Sequence, residues 1–209
     1  MKNADKTQSL AKYIKSLSDF KYVKPDTPYN HMGATIVDAM LQAGVTYETV
    51  VKPRVDVILR DYPEAKTTTG FFEVIKTKKI KRILKWQDDE KPNRIIEATQ
   101  FFIREKVETE DQLKSWLEKE MNMAKLDSVR GVGAKTIDYY KFLVGIPTTA
   151  IDRHMRNFLS SAGICTETYD EAKNIINDTA DSIGVNRTLL DHSIWKYMSK
   201  KRKRSSCHA

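Results

Sequence analysis

The sequence predicts an all-α fold. Apolar residues recur at helical spacing along most of the 209 residues, and only 8 glycines and 6 prolines are available to interrupt helices. Hydrophobic residues make up 40% of the chain, which is more than a disordered protein carries. A chain of this length can bury one substantial core or the cores of two smaller lobes.

The first elements follow from apolar stretches and the residues that break them. Residues 9–20 are amphipathic and predict a first helix. The prolines of Lys24-Pro25-Asp26-Thr27-Pro28 then favour an extended linker. Residues 34–43 are almost continuously apolar and predict a second helix, which Gly44 would end.

The next helix is predicted to begin at a cap formed by Thr46 and to hold Pro53 only near its first turn. Thr109 and Gln112 resemble a capping box before another helix. The same spacing rules predict further helices over residues 71–75 and 80–86, from Pro92, around Leu126, and over 134–144, from Arg153, over 169–183 and over 188–198.

The chain is basic, with a formal net charge of +8. More than half of that charge comes from Lys200, Lys201, Arg202, Lys203 and Arg204. This cluster predicts a polyanion partner, because counterions released from nucleic acid favour binding, or a solvated tail that aids solubility.

Two cysteines, Cys165 and Cys207, exclude a disulfide framework and a metal cluster built from cysteine alone. The first ten residues lack the apolar core of a signal peptide, and no apolar run is long enough to span a membrane. We therefore expect no membrane partner.

A glycine-framed turn lies near the middle of the chain, in Gly131-Val132-Gly133-Ala134-Lys135-Thr136. The apolar residues around it predict two helices joined tightly, with Val132 filling the gap between them. Glycines let the backbone approach a ligand, and the first amides of the second helix have no intrahelical acceptor. This arrangement predicts a contact to a DNA phosphate, although a plain glycine-capped turn is the alternative.

Lys135 stands in the first turn of the second helix, where a cation opposes the helix dipole. That position and partial burial would favour the unprotonated amine, which is the form that attacks carbon. Asp152, within Ile151-Asp152-Arg153-His154, could activate the amine. The alternatives are a phosphate-binding lysine and a carboxylate that caps a helix.

These two segments together resemble the helix-hairpin-helix (HhH-GPD) base-excision DNA glycosylases typified by endonuclease III and 8-oxoguanine glycosylase. That family carries a Gly-Val-Gly-x-Lys-Thr hairpin followed by Val-Asp-x-His. A weaker likeness extends over residues 33–198. Gln42 stands where a glutamine can enter the duplex beside the displaced base, and Lys91 leads a helix start that precedes the hairpin.

The resemblance implies two helical lobes flanking a DNA-binding cleft, one over 33–146 and one over 1–32 and 147–209 with the basic tail. It implies a monomer that acts, without metal or organic cofactor, on double-stranded DNA with a damaged or mismatched base. The protein would work in the cytoplasm with the nucleoid, or in the nucleus. Catalysis would fall to Lys135 and Asp152, and DNA binding to Gly131, Val132, Gly133, Ala134, Gln42 and Arg153.

The implied reaction removes the base through a lysine Schiff base and then cleaves the strand by β-elimination. A glycosylase without strand cleavage is one alternative, but it would use a positioned water instead of Lys135. A non-catalytic DNA-binding module is another, and it would have no use for Asp152. The gap between the two residues is slightly shorter than in endonuclease III, and no cysteine quartet for an iron–sulfur cluster follows Trp195.

Some aromatic and polar residues allow two interpretations. Tyr139, Tyr140 and Trp86 could pack against an extruded base, but a role in the core is the stronger expectation. Gln42 could be an ordinary polar residue at a helix end, and Arg153 could be plain surface charge. The sequence does not predict which base is removed.

Overall fold

The computed structural model describes residues 3–205, with side chains up to residue 201. Within this range the chain is helical and contains no β-strand, so the prediction of an all-α fold is confirmed. Cys207 and the side chains of Arg202, Lys203 and Arg204 lie outside the described residues. The helices are α1 (Asn3–Ser16), α2 (Met32–Leu41), α3 (Lys52–Asp61), α4 (Thr68–Lys78), α5 (Ile80–Ile83), α6 (Glu90–Arg104), α7 (Glu110–Leu117), α8 (Glu120–Asp127), α9 (Ala134–Leu143), α10 (Arg153–Ser161), α11 (Tyr169–Ser182) and α12 (Arg187–Ser205).

The chain divides into two compact units. The central unit is Thr27–Gly145, and the terminal unit combines Met1–Asp26 with Ile146–Ala209. The first boundary falls inside the proline-containing linker, because proline favours extended backbone over a continuing helix.

Helix α2 is the core of the central unit, since every residue from Met32 to Leu41 is buried. Helices α3, α4, α6 and α9 pack around it. His31 caps α2 by accepting the Ala34 amide at its Nδ1, 3.2 Å away, and its Nε2 lies 3.0 Å from the Tyr62 carbonyl oxygen. Burial lowers the pKa of His31, which suits a neutral ring that accepts at one nitrogen and donates at the other.

Two caps in the central unit differ in detail from expectation. Thr46 precedes a π-helical turn, Tyr47–Val51, and makes no side-chain cap bond, while Pro53 falls in the first turn of α3 as predicted. Thr109 caps α7 by accepting the Gln112 amide at 3.3 Å. The Gln112 side chain accepts the Glu108 amide instead of completing a capping box with Thr109. A 3₁₀ turn, Pro63–Lys66, links α3 to α4.

The terminal unit is built from two helix pairs, α1 with α11 and α10 with α12. Its core combines aliphatic side chains with the buried rings of Phe158 and Tyr197, against which Phe20 packs. Helix α1 begins and ends earlier than the sequence predicted. Over residues 3–205, none of the helices combines the length and apolarity needed to cross a membrane.

Candidate active site

The glycine turn joins α8 to α9 in the central unit. Gly131 has a φ of 82°, in the left-handed region that favours glycine, and a Cβ there would lie 2.6 Å from Arg94 Cδ. Gly133 is the N-cap of α9 with extended backbone, at φ −152° and ψ −176°. None of the described atoms outside its chain neighbours lies within 4 Å of a Cβ built at Gly133. The chain's own backbone therefore requires the first glycine, whereas the second keeps a space open at the start of α9.

The residues beside the glycines agree with expectation only in part. Val132 is half-buried, and Leu126, Val129 and Ile137 nearby in the sequence are buried, so a role of Val132 between the two helices stays a prediction. Ala134 is exposed. No side chain caps α9, and the first amides of a helix have no intrahelical acceptor. An anion is a suitable acceptor for such a helix start.

Lys135 is half-buried in the first turn of α9. Its Nζ donates to Gln42 Oε1 at 3.1 Å. The same Nζ lies 5.3 Å from the centre of the Tyr139 ring, one turn further along α9. Both contacts are made by side chains of the central unit.

Gln42 is the C-cap residue of α2, and its amide nitrogen donates to Asp38 Oδ1 at 3.1 Å. The end of α2 is held by Lys91, whose Nζ donates to the carbonyl oxygens of Leu41 and Ala43. Burial lowers the pKa of Lys91. Gln42 therefore contacts Lys135 within the chain, and its entry into a DNA duplex stays a prediction.

Asp38 is a residue of this site that sequence reasoning missed. Its side chain is fully buried, yet Oδ2 accepts the Tyr29 hydroxyl at 2.7 Å and Oδ1 accepts the Tyr139 hydroxyl at 3.3 Å. Burial raises the pKa of Asp38 to about 6, while its hydrogen bonds and the charge of Lys135 act in the opposite direction. One signal could have found it, because Asp38 is the charged residue inside the apolar stretch 34–43.

Asp152 and Arg153 belong to the terminal unit. Asp152 is the N-cap of α10, and its Oδ1 accepts the Met155 amide at 3.0 Å. This contact is the helix-capping role that the sequence allowed as the alternative for Asp152. It uses one of the two carboxylate oxygens. Arg153 is exposed in the first turn of α10. Catalysis by Asp152 and DNA contact by Arg153 stay predictions.

The aromatic candidates Tyr140 and Trp86, and His154 beside Arg153, pack against neighbouring side chains. Tyr140 is fully buried, and its ring packs edge-on against Phe102. The cations of Arg54 and Lys91 lie 4.9 and 5.2 Å from the centre of the Trp86 ring. In the terminal unit, His154 packs edge-on against Trp195. Tyr139 is the aromatic candidate whose ring lies beside the Lys135 amine.

The chain shares its fold with a solved DNA glycosylase. The crystal structure of H. pylori 3-methyladenine DNA glycosylase (MagIII) bound to 1,N6-ethenoadenine superposes with a TM-score of 0.65. The match covers 97% of this chain and 99% of that chain, at 14% sequence identity. An identity this low shows a common fold and leaves activity to be argued from the site.

Sequence comparison gives a family without an assigned activity. No curated protein matches the chain. A family model described as a domain of unknown function (DUF8548) matches residues 54–199, which include α9, Lys135 and Asp152. Because that match spans well over half of the sequence, the chain belongs to the DUF8548 family.

Proposed function

We propose that this protein is a DNA N-glycosylase that removes a damaged or mismatched base from double-stranded DNA. The observation that carries the proposal is a half-buried lysine amine, Lys135, held in the first turn of the helix that follows an open glycine hairpin. The fold shared with a 3-methyladenine DNA glycosylase supports the same class of reaction.

The hairpin would position the DNA. The exposed start of α9 offers backbone amides and the positive end of a helix dipole, both of which suit a phosphate oxygen. The open space at Gly133 lets a backbone come close. Such contacts fix the register of the duplex without reading its sequence, as an enzyme that searches for lesions requires.

We further propose that Lys135 is the nucleophile. A base must first leave the stack, at a cost of a few kcal/mol that is smallest for damaged or mismatched pairs. Nζ then attacks C1′ while the glycosidic bond breaks, and the base leaves with the bonding electrons and takes up a proton. Breakage of the C1′–O4′ bond gives a Schiff base between Lys135 and the opened sugar.

Strand cleavage follows from the same intermediate. Loss of a C2′ proton and breakage of the C3′–O bond release the 3′ phosphate, and water then hydrolyses the Schiff base to free the lysine. We propose Asp152 as the carboxylate that stabilises the cationic sugar and accepts a proton during attack. Its capping bond to Met155 fixes the carboxylate without consuming both oxygens.

Borohydride trapping tests the nucleophile directly. Duplexes with a single abasic site, 3-methyladenine, 1,N6-ethenoadenine, 8-oxoguanine, thymine glycol or uracil would be incubated with the full chain and sodium borohydride, which reduces a Schiff base to a stable amine. We expect a covalent adduct with at least one substrate, its loss in Lys135→Ala, and its retention in Lys141→Ala on the same helix.

The other results would distinguish the alternatives. Base removal without an adduct would establish a glycosylase that uses water and would exclude Lys135 as nucleophile. Duplex binding without base removal or adduct would leave a DNA-binding module and overturn the proposed activity.

A further inference from the structure

Two groups that contact the Lys135 amine are themselves bound to one carboxylate. The Gln42 amide accepts from Nζ through Oε1 and donates to Asp38 through Nε2. The Tyr139 ring lies under Nζ, and its hydroxyl donates to the same carboxylate, 3.3 Å from Oδ1 and 3.4 Å from Oδ2. Asp38 is thus the common anchor of both contacts.

Asp38 is well placed to be a rigid anchor. It lies on α2, the fully buried core helix of the central unit, and its own exposed fraction is 0%. A third donor, the Tyr29 hydroxyl, binds Oδ2 at 2.7 Å, and the Tyr47 hydroxyl lies 3.4 Å from that of Tyr29. A carboxylate that accepts from three donors cannot turn without breaking several bonds at once.

We propose that Asp38 is a positioning residue that aims the Lys135 amine through Gln42 and Tyr139. The inference rests on the proposed function, since it assigns Asp38 to the nucleophile of that reaction. Because Asp38 is completely buried, it acts without touching DNA. This distinguishes its role from that of a proton donor to the departing base.

The polarity of the Gln42 amide makes the arrangement specific. An ionised carboxylate only accepts hydrogen bonds, so it selects the NH₂ end of the amide and leaves the carbonyl end facing Lys135. A neutral amine keeps two hydrogens, so it can donate to Gln42 while its lone pair is available for attack. With the amide reversed, its NH₂ group would face the amine and donate to the lone pair, which would then be unavailable for attack.

The test compares three isosteric variants. Asp38→Asn replaces one carboxylate oxygen with an NH₂ donor, so the side chain no longer only accepts and no longer selects one orientation of the Gln42 amide. Tyr139→Phe keeps the ring under Lys135 and removes only its hydroxyl anchor. Tyr140→Phe is the matched control, because its buried hydroxyl has no hydrogen-bond partner among the described residues.

The first measurement needs no DNA. The methylene next to the Lys135 amine lies near the Tyr139 ring, so its resonance in a lysine-labelled NMR spectrum should be displaced from those of exposed lysines. Loss of that resonance in Lys135→Gln would identify it. We expect it to move toward the exposed-lysine position in Asp38→Asn and Tyr139→Phe, and to stay in place in Tyr140→Phe.

The second measurement is the single-turnover rate of borohydride-trapped adduct on abasic duplex at saturating DNA. A misplaced nucleophile should slow this rate by about tenfold to a hundredfold in Asp38→Asn, with DNA affinity unchanged. Tyr139→Phe should fall between Asp38→Asn and the wild type, and Tyr140→Phe should match the wild type.

The two measurements separate the inference from the function on which it rests. If the wild type forms no adduct while the Lys135 resonance still moves in Asp38→Asn, the covalent mechanism fails and the positioning by Asp38 stands. If the resonance stays in place in both Asp38→Asn and Tyr139→Phe, positioning by Asp38 is overturned whatever the DNA result. Should Asp38→Asn fail to fold, Tyr139→Phe alone decides between these outcomes.

Discussion

Asp152 combines a structural contact with a proposed chemical role, and the two can be separated by a single substitution. Asparagine and aspartate are equally good N-caps, because each offers a side-chain oxygen to the helix amides. Asp152→Asn should therefore keep the bond to Met155 and the stability of α10 while removing the negative charge.

We expect Asp152→Asn to change the free energy of unfolding by less than about 0.5 kcal/mol and to slow base removal by about a hundredfold or more. Asp152→Ala should lose both the capping bond and the negative charge, so base removal should slow and stability should fall by about 1 kcal/mol. Denaturant unfolding and single-turnover excision measure the two effects. Full activity in Asp152→Asn would restrict Asp152 to capping.

Asp38 gives the protein a specific pH dependence. Burial raises its pKa from the ordinary aspartate value of 3.8, which applies to the unfolded chain, to about 6 in the folded protein. Folding therefore takes up a proton between those values. The folded state is favoured most below pH 4, and this contribution is lost as pH rises through about 6. The shift corresponds to roughly 3 kcal/mol.

The measurement is the free energy of unfolding of the wild type and of Asp38→Asn from pH 3.5 to 8. The difference between them should fall with rising pH in that window, because the substitution removes the titrating group. The groups that act electrostatically on Asp38 or share its environment are Tyr29, Tyr47, Lys135, Tyr139 and Tyr140. A difference that is flat with pH would mean that Asp38 titrates normally.

Lys135 and the glycines could be singled out from the sequence because they form a local motif, and Gln42 could be singled out through the family resemblance. Asp38 could not, because its role depends on hydroxyls and an amide supplied by separate segments. Its only local sign was a charge within an apolar helix, and such a charge is costly to bury without partners. Nothing in the sequence around Tyr29 indicated that it belongs to this site.

The hairpin element yields a prediction from its two unlike glycines. Gly131→Ala should destabilise the chain by about 1–2 kcal/mol, because an L-residue resists a φ of 82° and its Cβ would meet Arg94. Gly133→Ala should change stability little, since extended backbone accepts alanine and the lost cap preference is partly offset by reduced unfolded-state entropy.

DNA affinity should be reduced more by Gly133→Ala than by Gly131→Ala, the reverse of their effects on stability. At Gly133 the added methyl would occupy the space through which we propose that a phosphate approaches, so affinity for an abasic-analogue duplex should fall several-fold. Fluorescence anisotropy gives the affinity, and chemical denaturation gives the stability of the same samples. If Gly133→Ala bound DNA with wild-type affinity, the proposal that the hairpin contacts a phosphate at Gly133 would be wrong.

The ends of helices are less well predicted by apolar spacing than their positions. The sequence predicted a helix over residues 71–75, but α4 begins at Thr68, where the Thr67 side chain accepts the Gly70 amide at 3.0 Å. The Thr68 hydroxyl also donates to the Val107 carbonyl oxygen. Apolar spacing locates a helix, whereas its first turn is set here by a cap and by a partner far along the chain.

At the scale of the whole molecule, positive charge is unevenly distributed along the chain. The five basic residues near the C-terminus supply more than half of the net charge of +8. Lys201 is the second residue of this cluster and belongs to the last helix of the terminal unit. Its Nζ lies 4.6 Å from the centre of the Tyr197 ring. The remaining charge is closely balanced, so the cluster should dominate long-range attraction to a polyanion.

Neutralising Arg202, Lys203 and Arg204 with glutamine tests that expectation. Each phosphate contact that is lost should reduce the slope of log affinity against log salt by about 0.9, so we expect a reduction of roughly 1 to 3. The rate of adduct formation at saturating DNA should not change, because these residues would attract the duplex without taking part in the chemistry. The matched control replaces three exposed lysines of the central unit, Lys66, Lys79 and Lys114, with glutamine. A wild-type slope in the tail variant would assign the basic tail to solubility and leave DNA attraction to the helical body of the protein.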